Sequence, residues 1–288
     1  MTIQIITDST AYIPRELLEQ YHIQVVSLSV HLAGKVSEEI NMNHQAFFEE
    51  LGRTDQWATS SQPAIEQFVS LFESYTLEQK TVLGIFLSSE MSGTYQTAAL
   101  ARKMVLEKNP QASIHLIDSR TNCMQMGFAV LEAGRAITEG LSLEEILPRV
   151  SGFIRKSRFL FAPLTLDYLK KGGRIGGAAA FLGAMLRIIP ILTVEAGKTA
   201  VVTKVRTQPK AVTTMIQTLL KDFHRFGAGQ LAVHHINDEA AGNALAQQLK
   251  QHLRREVPVI PIGPVIGLHV GPGTLGIAYS TLEDRLPE

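Results

Sequence analysis

Four hydroxyl-rich stretches are the places where this chain could do chemistry: TDST (7–10), TSSQPA (59–64), SSEMSGT (88–94) and DSRT (118–121). Three of them follow a short apolar run directly and lead into helix-like sequence. A helix start offers unpaired N–H groups, and hydroxyls beside it add neutral donors, so such a set could grip an anion. A serine on a strand-to-helix turn can instead be a nucleophile. That use needs a base and an orienting acid, and Ser92 with His269 and Asp118 would supply a triad for acyl-ester hydrolysis. The elbow pattern is broken, however, because Glu90 stands where GxSxG requires glycine. The third use is purely structural, each Ser or Thr capping its own helix.

Other chemical motifs fail on context. GPGTLG (271–276) has dinucleotide-fingerprint spacing, yet too little chain follows it to form the required helix and second strand. Gly197, Lys198 and Thr199 spell the end of a P-loop, but Leu192 occupies its first glycine position. Neither HExxH nor CxxC occurs, and His234 and His235 lack partners at metal-ligand spacing, so both read as ordinary strand residues and no metal or cofactor is expected. The formal net charge is zero, which leaves no basic field for nucleic acid. A lone Cys123 permits neither an internal disulfide nor a thiolate cage, and MTIQIITDST reaches Asp8 too early for a signal peptide, so a cytoplasmic location is expected.

The elements that must position the hydroxyls come from alternating short apolar runs and amphipathic segments. IQIIT (3–7), QVVSLSV (24–30), TVLGIFL (81–87) and SIHLID (113–118) read as strands. Helices between them show Ile65, Phe68, Val69 and Phe72 on one face, then Leu100, Ala101, Met104 and Val105. This strand, helix, strand order predicts an α/β/α domain with a parallel sheet over residues 1–160. The remainder, 161–288, changes character: RIIPILTVEAGKTAVVTKVRT reads as a hairpin about EAGK, and helices alternate with further strands, predicting an α/β domain with a mixed sheet. The segment GGAAAFLGAML (176–186) is too short to span a bilayer, and its small residues leave room beside a helix for something apolar.

DSTAYIP, SSQPA, SSEMSGTYQTA, IDSRT, LKKGGRIGG and HVGPGTLGIAY together resemble the DegV family across nearly the whole chain. The resemblance implies two α/β domains holding a long-chain fatty acid between them. It also implies a role as the acyl-binding subunit of bacterial fatty acid kinase, with a separate ATP-dependent subunit as partner. By position, Ser92 with Gly93 matches the carboxylate-binding serine. Ser60 and Ser61 match the hydroxyls of the family's TSQPS stretch, and which of Thr59, Ser60 and Ser61 faces the ligand stays open. His269 matches a histidine near the carboxylate, Arg206 a basic residue on its far side, and Arg174 a surface arginine that meets the kinase. Phe181, Met185, Ile266 and Leu268 are candidates for the acyl pocket.

Elementary energetics assigns tail and head different tasks. Burying on the order of ten methylenes at roughly 0.8 kcal/mol each gives about 8 kcal/mol of affinity. An unpaired buried carboxylate costs several kcal/mol, so the head must accept bonds from Ser92, a neighbouring serine and His269. The chain carries no nucleotide cradle, so phosphoryl transfer would have to come from a partner.

Overall fold

A computed structural model describes residues 2–54, 56–181 and 188–285; at Phe181 it describes the backbone only. Strand β1 (Ile3–Asp8), helix α1 (Arg15–Gln20) and strand β2 (Gln24–Val26) open the chain, followed by β3 (Ser29–Leu32), β4 (Lys35–Glu38), helix α2 (His44–Arg53) and β5 (Thr59–Ser61). Helix α3 (Ile65–Leu77), β6 (Thr81–Phe86), α4 (Thr94–Lys108) and β7 (Ile114–Asp118) complete a parallel sheet of order β2-β1-β6-β7. All residues of β6 are buried, as a central strand covered on both faces requires.

QVVSLSV is not one strand. Its first part joins the parallel sheet as β2, and its last residues belong to a separate antiparallel sheet of order β4-β3-β5. The break falls at Leu28, whose N–H donates to Ser9 Oγ at 3.2 Å and whose carbonyl accepts from Glu39 N–H at 2.9 Å. Those bonds take the groups that a continuous ladder would have used.

Helix α5 (Cys123–Thr138) buries 12 of its 16 residues because it lies between two sheets, touching β1 and β6 on one side and β8 (Ser157–Ala162) and β13 (Leu275–Thr281) on the other. Such all-round burial requires an all-round apolar helix, and CMQMGFAVLEAGRA supplies it. Helix α6 (Leu143–Lys156) leads into β8. Helix α7 (Asp167–Lys171), the hairpin β9 (Ile189–Glu195) and β10 (Lys198–Val205), helix α8 (Gln208–Phe226), β11 (Ala228–His235), α9 (Glu239–Leu253), β12 (Val259–Pro261) and α10 (Pro264–Val270) come next. The second sheet runs β10-β9-β8-β13-β11-β12, with β11 and β12 parallel and the other neighbours antiparallel. The EAGK turn is a tight one, with Ala196 and Gly197 both left-handed at φ 47° and 83°.

His234 joins the two halves. Its Nδ1–H donates to the Ile260 carbonyl at 2.8 Å and its Nε2 accepts the Met124 N–H, at the start of α5, at 3.2 Å. Burial lowers its pKa to about 4, so the ring stays neutral and can do both. Among the described residues, no helix is long and apolar enough to cross a membrane.

Candidate functional site

A cavity of about 260 Å³ opens where the C-terminal edge of the parallel sheet faces the mixed sheet. Its apolar wall comes from Leu28, Leu87, Met91, Phe159, Phe161, Leu169, Val194, Val265, Ile266 and Val270. The polar lining includes Ser60, Ser61, Gln62, Ser92, Gly93, Arg174 and His269. Ser60 Oγ lies 2.8 Å from His269 Nε2, and Arg174 Nε donates to the Met91 carbonyl at 2.9 Å. A Cβ placed on Gly93 would sit 2.2 Å from Gln62 Oε1, so a larger residue there would push the exposed Gln62 side chain aside.

The β5 hydroxyls divide their tasks. Ser60 pairs with His269, Ser61 Oγ lies 2.8 Å from His31 Nε2 on neighbouring β3, and Thr59 is exposed outside the cavity lining. Ser92 sits in the turn before α4, where its Oγ lies 2.9 Å from Thr94 Oγ1 and accepts the Thr94 N–H at 3.3 Å. The Ser92 N–H is committed to the Ser88 carbonyl at 3.1 Å, so the backbone donor at hand beside the hydroxyl is that of Gly93.

Helix α10 carries the opposite wall. Proline at its first position and Gly271 beyond its end, at φ 96°, confine it to two turns. Val265, Ile266, His269 and Val270 recur at helical spacing on the cavity side. Leu268 points the other way, into the core at 1% exposure, so it is not a pocket residue. The helix start is held by buried Glu39, whose Oε1 accepts the Val265 N–H at 2.8 Å and the Tyr12 hydroxyl at 2.9 Å, with Ser9 Oγ at 2.5 Å from Oε2. Burial raises the Glu39 pKa to about 7 despite these three contacts.

Burial first, and the nearby Arg174 charge second, lower the His269 pKa to about 4. A neutral ring has one N–H. Its Nδ1 is buried with no hydrogen-bond partner among the described residues, and a bare lone pair there is cheaper than a bare N–H. Nε2 therefore carries the proton and donates to Ser60 Oγ, which frees the Ser60 hydroxyl proton for a cavity anion.

The Ser92, Asp118, His269 triad is not assembled. His269 pairs with Ser60, and Asp118 Oδ1 accepts the N–H groups of Ser89 and Arg120 at 3.2 and 2.9 Å. Arg206 is not brought to the cavity either. It is exposed just past the far end of β10, seven residues from the cavity-lining Thr199, about 23 Å at roughly 3.3 Å per strand residue. The cation at the cavity is Arg174, exposed at its mouth, where the resemblance implied only a docking role. Met185 and the side chain of Phe181 lie outside the described residues. Sequence reasoning missed Gln62, Asn122, Phe159, Phe161 and Val194. FLFA (159–162) carried a usable signal, since alternation along β8 sends Phe159 and Phe161 to one face, where their rings stack at 5.1 Å. Among the described residues no group of three or more His, Cys, Asp or Glu could hold a metal.

Known proteins share this architecture end to end. A family model described as an uncharacterised protein of the DegV family matches residues 2–282. A DegV domain-containing protein of Clostridium acetobutylicum is 48% identical over 281 residues, covering 98% of each chain. Two solved structures superpose closely. A DegV family protein from Thermus thermophilus described by its fatty acid binding has a TM-score of 0.87 at 31% identity, covering 97% of this chain and 100% of that one. DegV from Bacillus subtilis, described as a fatty acid binding protein, has a TM-score of 0.87 at 33% identity, covering 98% and 99%. With sequence and fold matched over nearly their full length, the chain belongs to the DegV family.

Proposed function

We propose that the cavity holds a long-chain fatty acid, with its tail along the apolar wall and its carboxylate among Ser60, Ser92 and the Gly93 N–H, His269 acting through the Ser60 hydroxyl that it orients. The observation that carries this is the Ser60–His269 pair, 2.8 Å apart, which shares with Ser92 a cavity that also has an extended apolar wall. Neutral donors satisfy the carboxylate without an ion pair sealed in the interior, and Arg174 at the mouth adds attraction without burial. In this division of labour, the parallel-sheet domain supplies the head-group loops, and the mixed-sheet domain, which starts with β8 at Ser157 slightly before the boundary of 160 read from the sequence, contributes most of the acyl wall.

The protein is a cytoplasmic carrier that breaks no bond itself. It presents the carboxylate to a separate ATP-dependent fatty acid kinase subunit, which makes the acyl phosphate. Mass spectrometry of a solvent extract from the purified protein tests the carrier, with stoichiometric free fatty acid as the expected result. Ester turnover lost in Ser92→Ala, with no retained lipid, would establish a hydrolase instead. For the second step, the loaded protein, a kinase subunit and ATP should yield hydroxylamine-trappable acyl phosphate; none should form if either protein is omitted.

A further inference from the structure

The tip of the β9–β10 hairpin is fastened to the head-group loops by a set of polar contacts. Ser88 Oγ donates to the Gly197 carbonyl at 2.7 Å, Arg120 donates to the Ala196 carbonyl, and Lys198 Nζ lies 3.1 Å from Glu90. On the loop side Glu90 also meets Arg120 at 3.4 Å, and Arg120 meets Asp118 at 3.6 Å, so Lys198 reaches across the seam to the end of a chain of alternating charges. The approach is close enough to demand glycine. A Cβ on Gly197, at φ 83°, would lie 2.6 Å from Ser88 Oγ and 2.9 Å from Arg120 Cζ.

The residues flanking this tip are cavity wall. Val194 precedes the turn and Thr199 follows it, and Thr199 Oγ1 also donates to the Arg174 carbonyl at 2.7 Å. Across the seam, Ser88 and Glu90 sit in the same loop as Met91 and Ser92. Elsewhere the two halves meet through a shared apolar core that includes α5 and α10. At the tip the Ser88–Gly197 bond is buried, whereas the charged side chains stay partly in water, Lys198 at 62%, Arg120 at 41% and Glu90 at 37% exposure. Exposed pairs are individually weak and yield to salt, so this edge can part while the core stays closed.

Resting on the fatty-acid reading above, we propose that the β9–β10 turn is a clasp whose release, by parting Val194 and Thr199 from the Ser92 loop, sets the rate at which the acyl ligand leaves. Neither Glu90 nor Lys198 lines the cavity, so altering them should change the rate of release and leave the head-group contacts intact.

Dissociation of a fluorescent fatty acid into excess phosphatidylcholine vesicles tests this in the full chain. Glu90→Ala and Lys198→Ala should each speed release several-fold, the double variant should be no faster than either, and Lys198→Arg should keep the wild-type rate. Raising NaCl from about 0.05 to 1 M should speed release from wild type and not from the double variant. Unchanged rates, additive single effects, or acceleration matched by a lower urea midpoint would each overturn the clasp. If wild type and every variant fail to hold the fatty acid at all, the carrier reading falls with it.

Discussion

Glu39→Gln probes the buried support of the cavity wall and has a calculable consequence. The Glu39 pKa rises from 4.5 to about 7 on folding, chiefly through burial, so the folded chain keeps a proton that the unfolded chain gives up. The stabilisation is therefore complete below pH 4.5 and is lost as pH rises through about 7. Integrating between pH 5 and 8 gives a loss of about 2.5 kcal/mol from this one residue. Asp8, raised by burial from 3.8 to about 6, acts in the same direction at lower pH. Glutamine reproduces the protonated acid: its carbonyl can accept from Val265 and Tyr12, and its amide faces Ser9. Urea unfolding at both pH values should show the Glu39→Gln chain losing about 2.5 kcal/mol less than wild type over this interval. An unchanged pH slope would refute the claim that a buried proton sits under α10.

Three further substitutions separate cavity from core. Gly93→Ala would displace the exposed Gln62 side chain from Thr97 at the head-group end, so fatty-acid affinity measured by calorimetry should fall only a few-fold, about 1 kcal/mol or less, while the urea midpoint moves little. Ile266→Ala and Leu268→Ala, on opposite sides of α10, should diverge. The first should weaken acyl binding by about 2 kcal/mol, whereas the second should cost about 2–5 kcal/mol of stability, read by urea titration, with binding retained.

Elements with strong local patterns were legible in the sequence. TVLGIFL reads as a buried strand, the EAGK hairpin followed from its turn residues, and the helix face of α3 from its spacing; the face expected for α4 is half wrong, since Leu100 and Met104 are 52% and 38% exposed and Ala98 joins Ala101 and Val105 in the core instead. What failed was decided by distant contacts. QVVSLSV breaks at Leu28 because Ser9 Oγ and Glu39 N–H, from elsewhere in the chain, take its backbone groups. Three residues of β5 are too few for alternation to choose among Thr59, Ser60 and Ser61; the partners His31 and His269 make the choice. Motif position marked Arg206 as a cavity residue, and strand length carries it away. Ile266 and Leu268 look alike in sequence and are told apart only by the sense in which a seven-residue helix is laid against the cavity.

The head-group site can be tested most directly with a fatty acid labelled with ¹³C at its carboxyl carbon, bound to the delipidated protein and observed by NMR across pH. Held by Ser60, Ser92 and the Gly93 N–H, with His269 orienting the Ser60 hydroxyl, the carboxyl should give one protein-specific resonance that stays in the ionised position when free acid titrates. Ser60→Ala and Ser92→Ala should each shift it, whereas Arg206→Ala should leave it in place. A resonance that titrates like the free acid, or one indifferent to both serines, would contradict a carboxylate gripped at this end of the cavity.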